Sequence, residues 1–222
     1  MSAMMNPFLK FVVAILCLAG IAGYGRAFLN AAHTNLNDPP TLAAFAAGGI
    51  IYFLLWAMFL SKRGSFWSVI EHEMTHALFA LLFFKKVHSF SAKRRRGGNV
   101  VIEGDNFIIA LAPYFFPLLS IAIVVIKPSI LNQYQWILQG LIGFTLMFHL
   151  VHLATEFHPS QPDLQRSGMV FSFIVVLFFN LLFVGLCITA LRGGWADMGN
   201  YLRQGLLEGK LFVEQLWRVF FN

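Results

Sequence analysis

Residues 169–191 read MVFSFIVVLFFNLLFVGLCITAL and contain no Asp, Glu, Lys or Arg. A helix needs about 20 such residues to cross the hydrocarbon core of a bilayer, so this run predicts a transmembrane helix. Five runs of similar length and character come before it in the chain. The six predicted spans are Pro7–Tyr24, Thr41–Leu60, Phe66–Phe84, Phe107–Ile126, Gln135–Ala154 and Met169–Leu191. The predicted fold class is therefore an all-α polytopic membrane protein with about six transmembrane helices.

The composition excludes several other classes of protein. Hydrophobic residues make up 58% of the 222 positions and charged residues 12%, against roughly 25% charged in an average globular chain. A soluble domain of this size could not bury so much apolar surface, and both cysteines, Cys17 and Cys187, fall within predicted spans. These features exclude a soluble domain, a secreted disulfide scaffold and a disordered chain. The net charge of +6 then indicates membrane orientation and contact with the lipid bilayer, not nucleic-acid binding.

The two ends of the chain each allow two interpretations. Small residues near Ala22 and Ala27 would suit cleavage of the first span as a signal peptide. However, Lys10 lies inside the apolar run and not before it, which favours a retained span. From Asp197 onward, apolar and charged residues are mixed at helical spacing, which predicts an amphipathic helix. That helix could lie in the membrane interface or pack on the protein's own end.

The connection after the third span differs from the other loops. Lys85–Asn106 reads KKVHSFSAKRRRGGNVVIEGDN, and its runs Val87–Ala92 and Asn99–Glu103 are strand-like. The basic turn Arg94–Gly98 between them predicts a β-hairpin over residues 87–103. Six of the 16 Lys and Arg residues lie in this connection, so the positive-inside rule predicts that it is cytoplasmic.

The third span carries the pattern His72-Glu73-x-x-His76. Histidines four residues apart share one face of a helix, so both imidazoles can bind one metal ion. Glu73 is then placed to take a proton from a water activated by that metal. Glu71 lies in the same turns, and each ionisable group inside a membrane helix costs about 2.5 kcal/mol or more. Such groups are retained where they face a polar cavity or a metal; the alternative is a hydrogen-bonded cluster between helices.

A catalytic zinc site usually has three protein ligands, so a third ligand must come from elsewhere. The end of the fifth span offers His149, His152 and Glu156, which form one polar stripe at helical spacing. Two prolines then break the helix, and the broken segment carries Asp163. The spacing leaves open which of the four completes the site. For the two histidines, the alternative role is hydrogen bonding inside the bundle.

At this point the chain resembles a known family. The HExxH helix inside a span, the hairpin after it, the opening Ala110–Tyr114 of the next span and a later aspartate are similar to those of the site-2 protease family of intramembrane zinc metalloproteases. The resemblance covers roughly residues 66–191. Around the aspartate the chain reads Gln161-Pro162-Asp163-Leu164, whereas in the family a glycine usually follows this aspartate.

The resemblance implies a Zn²⁺ site with three protein ligands and a general base. His72, His76 and Asp163 would hold the zinc, and Glu73 would be the base. Glu156, His152 and His149 remain as alternative ligands or as residues that support the ligands. The implied activity is the hydrolysis of peptide bonds in membrane-embedded protein substrates, which is regulated intramembrane proteolysis, with the hairpin approaching the substrate.

The resemblance also implies a division of the chain. Residues 1–65 would form two accessory transmembrane helices, residues 66–191 the metalloprotease core, and residues 192–222 an amphipathic tail. The compact chain indicates a divergent prokaryotic-type member in the cell (inner) membrane. Two other functions stay open: a metal-binding membrane protein without protease activity, and an inactive protease-like scaffold. The sequence names neither the substrate nor the oligomeric state.

Overall fold

The computed structural model describes residues 6–61, 66–93 and 97–221. Within these ranges the chain is mostly helical and has one pair of strands. The helices are α1 (Pro7–Leu36), α2 (Pro39–Leu55), α3 (Phe66–Leu82), α4 (Phe107–Leu111), α5 (Leu118–Ile126), α6 (Gln135–Glu156), α7 (Pro162–Ser167), α8 (Met169–Ala190) and α9 (Trp195–Phe221). The strands are β1 (Val87–Lys93) and β2 (Gly97–Ile102). A π-helical turn, Trp56–Leu60, continues α2.

Four helical segments of the described chain are long and apolar enough to cross a membrane. They are Pro7–Leu36, Pro39–Leu60, Asn132–Glu156 and Met169–Ala190. A fifth would be Phe107–Tyr114 together with Leu118–Ser129, two pieces that meet at 82°. Helix α3 has 17 residues and is not among these segments. The structure therefore confirms a helical membrane protein with a small sheet, but it does not confirm the count of six spans.

Polar side chains fix where three of the helices begin. The Asn6 side chain accepts a hydrogen bond from the Phe8 amide at the start of α1, and Asp38 accepts one from the Thr41 amide at the start of α2. Asn106 accepts from two amides of α4, each at 2.9 Å. Such caps satisfy amides that have no partner inside the helix. They show why these helices begin directly after an Asn or Asp.

Glycines allow two pairs of helices to approach closely. A Cβ atom at Gly48 of α2 would overlap the carbonyl of Gly140 on α6, and one at Gly23 of α1 would overlap the carbonyl of Gly205 on α9. Close backbone contact of this kind is a main source of attraction between helices in lipid, where the hydrophobic effect is absent. Helix α2 is thereby fixed against α6, which carries the predicted polar stripe.

Both strands pack along the side of α3. They pair antiparallel, with Phe90 opposite Val100 and Ser91 opposite Asn99. Gly98 contacts the side chain of Glu73, which is in the middle of α3. The sequence predicted a hairpin in this connection but not where it packs; in the structure the chain reverses after α3 and runs back along it. Arg94–Arg96 of the predicted turn lie outside the described residues.

The predicted amphipathic tail forms one continuous helix, α9. Its first half packs on α1 and α8, where Met198 and Tyr201 are buried and the Tyr201 hydroxyl donates to the Leu181 carbonyl. Apolar side chains such as Val219 and Phe220 are exposed near its end. The first half therefore packs on the protein itself, and the last turns present apolar residues to the surroundings.

A buried apolar cluster holds the short helix α7 in place below α3. Leu164 of α7 is fully buried and packs with Ile109 and Leu111 of α4 and with Phe171 of α8. Gly168 joins α7 to α8 with a φ of 91°, a conformation that glycine adopts at little cost. The burial of Leu164 and the turn at Gly168 together place the first turn of α7 opposite the middle of α3.

Candidate metal centre

The structure brings three of the predicted site residues together. His72 and His76 lie one turn apart on α3, with their ring centroids 4.9 Å from each other. The Asp163 Oδ2 atom of α7 is 3.8 Å from His72 Nε2 and 3.6 Å from His76 Nε2. One ligand atom from each residue lies within 4.8 Å of the others, and no other such group of His, Cys, Asp or Glu occurs in the described part of the chain.

The outer ring nitrogens of the two histidines are already engaged. His76 Nδ1 is 2.9 Å from the Ile109 carbonyl oxygen, and His72 Nδ1 is 3.2 Å from Glu156 Oε2. A carbonyl or carboxylate oxygen only accepts hydrogen bonds, so both Nδ1 atoms donate. Each Nε2 atom then presents a lone pair to the space in front of Asp163.

A divalent cation fits this arrangement. Asp163 Oδ2 lies 3.8 and 3.6 Å from the Nε2 atoms of His72 and His76, too far for hydrogen bonds, and the three lone pairs that share this space repel one another without a cation. In a tetrahedral zinc site with bonds of about 2.0–2.1 Å, ligand atoms are about 3.3 Å apart. The spacing here is only slightly wider, so small side-chain movements would complete such a site.

The carboxyl group of Asp163 is held in its charged form. Burial raises the pKa of this group, but the positive charge of a protonated His72 or His76 beside it lowers it by more, so the pKa lies well below its usual range; a metal ion in place of that proton would act in the same direction. An ionised carboxylate is the form that binds a metal ion.

Glu156 supports His72 from behind and does not face the centre. Its Oε1 atom accepts a hydrogen bond of 2.6 Å from the Ser68 hydroxyl, and its Oε2 atom accepts the Nδ1 proton of His72. Carboxylates in this position orient a metal-binding imidazole and make it more basic. The structure thus places Glu156 in contact with a candidate ligand, on the side away from Asp163.

The two histidines of the α6 stripe are bonded within the bundle. His152 Nε2 is 2.9 Å from the Tyr52 hydroxyl, and His152 Nδ1 is 3.8 Å from Glu156. His149 Nε2 donates to Asn180 Oδ1 on α8 at 3.1 Å. Neither ring is part of the group formed by His72, His76 and Asp163.

Glu73 lies between the candidate metal centre and the sheet. The charges of both histidines and of Asp163 act on its carboxylate, and the backbone amide of Val100 lies near it and favours its charged form. Since Gly98 lies against the same side chain, β2 restricts where the carboxylate can go.

Tyr52, Tyr114 and Asn180 belong to the surroundings of the centre, and the sequence interpretation gave none of them a role there, although Tyr114 ends the quoted stretch Ala110–Tyr114. Tyr52 reaches His152 from α2, and the Tyr114 ring stands perpendicular to the His72 ring with centroids 5.5 Å apart. Asn180 bonds both His149 and the Tyr114 carbonyl. An asparagine inside the otherwise apolar run 169–191 was a usable signal, because polar groups in lipid seek partners. The tyrosines gave no such signal.

Comparison with known proteins gives a family but no individual relative. The model of the Peptidase M50B-like family matches residues 43–192, well over half of the chain. The protein therefore belongs to this family of site-2 proteases, and the resemblance carried by the HExxH helix is confirmed at that level. No curated protein and no solved structure matches the chain. With its apolar helices, the family makes the chain an integral membrane protein.

Proposed function

We propose that the protein is an intramembrane zinc metalloprotease that hydrolyses peptide bonds of membrane-embedded proteins. The observation that carries this proposal is the convergence of His72 Nε2, His76 Nε2 and Asp163 Oδ2, with Glu73 beside them, in a chain of a protease family. These three residues would hold the zinc. Glu156 would orient His72, and the Ile109 carbonyl would orient His76.

The residues of the centre can divide the chemistry of hydrolysis among them. Zinc supplies a Lewis acid that polarises a carbonyl and makes a nearby water more acidic. Glu73 takes the proton of that water and then gives it to the leaving amine, as a general base that becomes a general acid. Gly98 and the nearby amide of Val100 would help to keep the Glu73 carboxylate close to the centre between these two steps.

The sheet offers a way to hold an extended substrate. A helical substrate must unwind before its peptide bonds can be attacked, which frees backbone groups that need partners in lipid. Gly98 of β2 lies against the Glu73 side chain, so β2, which pairs only with β1 among the described strands, lies next to the site with its outer edge open. An added strand on that edge would supply the missing hydrogen bonds. The substrate would then lie along β2, beside Glu73 and the zinc.

The first prediction concerns the metal itself. The purified protein should bind about one zinc per chain, and His72→Ala or His76→Ala should abolish the binding, since each removes one of three ligands. Elemental mass spectrometry of the purified protein measures the number of zinc ions bound per chain. His158→Ala is a matched control, because this exposed loop histidine bonds Ser160 and should keep its zinc. Full zinc content in both α3 variants would exclude this site.

The second prediction concerns the base and separates the proposal from its main alternative. Glu73→Gln retains the size of the side chain but cannot accept a proton, so zinc should stay bound while cleavage of a membrane-embedded reporter protein stops. Glu103→Gln, which changes an exposed glutamate directly after β2, should cleave normally. A Glu73→Gln variant that cleaves near the wild-type rate would exclude Glu73 as the base. A wild type that binds zinc but cleaves nothing would favour a metal-binding protein without protease activity.

A further inference from the structure

Tyr114 has a buried hydroxyl without a hydrogen-bond partner among the described residues. Its side chain is 1% exposed. Three other buried tyrosines all have partners: the Tyr24 hydroxyl donates to Leu202, that of Tyr52 bonds His152, and that of Tyr201 donates to Leu181. A buried polar group that stays unpaired lowers stability, so it calls for an explanation.

The unpaired hydroxyl belongs to the surroundings of the metal centre. The Tyr114 ring packs edge-on against His72, and Tyr114 lines a small polar cavity together with His72 and Glu156. The carboxylates of Asp163 and Glu156 both act electrostatically on the hydroxyl, yet neither accepts a hydrogen bond from it.

The position of Tyr114 is fixed by its neighbours. Its carbonyl accepts a hydrogen bond of 2.9 Å from Asn180 Nδ2, and its ring packs perpendicular to the Phe157 ring with centroids 5.8 Å apart. It ends the short turn Ala112–Tyr114, which lies close to α3. A hydrogen-bond donor that is already in position before the reaction begins stabilises developing charge most effectively.

The other polar groups that could serve as donors are occupied. His149 Nε2 donates to Asn180, and His152 Nε2 bonds Tyr52. The Nδ1 protons of the metal-binding pair go to Glu156 and Ile109. Among the described tyrosines around the centre, Tyr114 is the one whose hydroxyl oxygen takes part in no hydrogen bond.

We propose that Tyr114 is a further catalytic residue, whose hydroxyl donates a hydrogen bond to the oxyanion that develops on the scissile carbonyl. This inference rests on the proposed protease function. As the water oxygen bonds to the carbonyl carbon, the π electrons of the carbonyl move onto its oxygen and the water proton goes to Glu73. Tyr114 keeps its own proton throughout. When the C–N bond breaks, the electrons return to the carbonyl and Glu73 protonates the amine.

The test compares Tyr114→Phe with Tyr201→Phe, which removes a paired hydroxyl far from the centre. With fluorescein-labelled casein in detergent as the probe, Tyr114→Phe should lower kcat by about 10²–10³-fold and leave KM and zinc affinity unchanged. Its Tm should stay the same or rise, because an unpaired buried hydroxyl is removed. Tyr201→Phe should keep its kcat and lose about 2–4 °C in Tm, as expected for one hydrogen bond in a chain of this length.

Three outcomes would overturn the assignment of Tyr114. One is an unchanged kcat; another is a loss of zinc affinity together with kcat, which would make Tyr114 a support of the ligands. The third is a fall in Tm as large as that of Tyr201→Phe, which would mean that a bound water already pairs the hydroxyl. The Tm comparison needs no cleavage of casein. If the wild-type protein contains no zinc, the proposed protease function itself is excluded. The zinc content of the same preparation shows this independently of the Tyr114→Phe comparison.

Discussion

Asp163 and Glu156 are both carboxylates beside His72, and their partners separate their roles. Both oxygens of Glu156 are engaged, one by the Ser68 hydroxyl and the other by His72 Nδ1. The Oδ2 atom of Asp163 instead faces the Nε2 atoms of both histidines. A carboxylate that already binds the outer nitrogen of an imidazole orients a ligand, and it would have to give up these bonds to become one.

This difference leads to the third prediction. Asp163→Asn replaces an anionic oxygen with a neutral amide and should lower zinc affinity by more than about 100-fold, whereas Glu156→Gln should lower it by about 10–100-fold at most. Zinc affinity measured by competition with a chelator distinguishes them. Glu208→Gln serves as a control, since this carboxylate pairs with Arg26 on distant helices and should change nothing. A larger loss in Glu156→Gln than in Asp163→Asn would make Glu156 the third ligand.

At the scale of single elements, the sequence predicted the type of secondary structure of each segment more accurately than the position of that segment in the fold. The alternation in Val87–Ala92 and Asn99–Glu103 predicted strands, and a two-stranded sheet is present. Nothing in that alternation says that the sheet packs along α3, because docking depends on contacts between segments. Gly98 leaves room for the Glu73 side chain, and this can be seen only once β2 is packed against α3.

The fourth prediction tests whether β2 positions the base. A Cβ atom at Gly98 would lie 2.6 Å from Glu73 Oε1, closer than non-bonded atoms allow, and the flexible glutamate would have to move away. A base displaced by about 1 Å can lose about 10²-fold in rate. Gly98→Ala should therefore lower kcat by roughly 10–100-fold while zinc content and Tm stay near those of the wild type.

The neighbouring residue provides a control for this experiment. Asn99 is exposed and points to the opposite face of the strand, so Asn99→Ala should cleave normally. Equal losses in both variants would indicate a general disturbance of the sheet. An unchanged kcat in Gly98→Ala would mean that β2 does not position Glu73.

The candidate site shows the same limit of sequence-based prediction. The spacing of His72 and His76 was enough to predict a shared metal, because neighbours on one helix turn are fixed by helix geometry. Asp163 came from a different element, and the residues alone left it as one of four candidates. Tyr52 was not predicted at all, since its bond to His152 depends on the close packing of α2 on α6.

At the scale of the whole molecule, long-range contacts define the two ends of the helical bundle. The Lys10 ammonium at the start of α1 donates to the carbonyl of Ser167, the last residue of α7. At the other end, Arg192 after α8 donates to the Thr34 carbonyl near the end of α1. Asp105, directly after the sheet, pairs with Arg166 of α7 at 3.2 Å. The sheet is therefore associated with the end of the bundle where α8 begins.

The last prediction concerns orientation and uses two exposed positions, Ser160 before α7 and Ala196 at the start of α9. Helix α8, with 22 residues, separates them by about 33 Å, enough to put them on opposite membrane faces. The dense Lys and Arg residues of the connection 85–106 predict that the Ser160 face is cytoplasmic. In bacterial spheroplasts, an impermeant maleimide should label Ala196→Cys at once and Ser160→Cys only after lysis. The native Cys17 and Cys187 are buried, so the wild type is the background control. The reverse pattern would invert the orientation, and labelling of both positions before lysis would show that α8 does not cross the membrane.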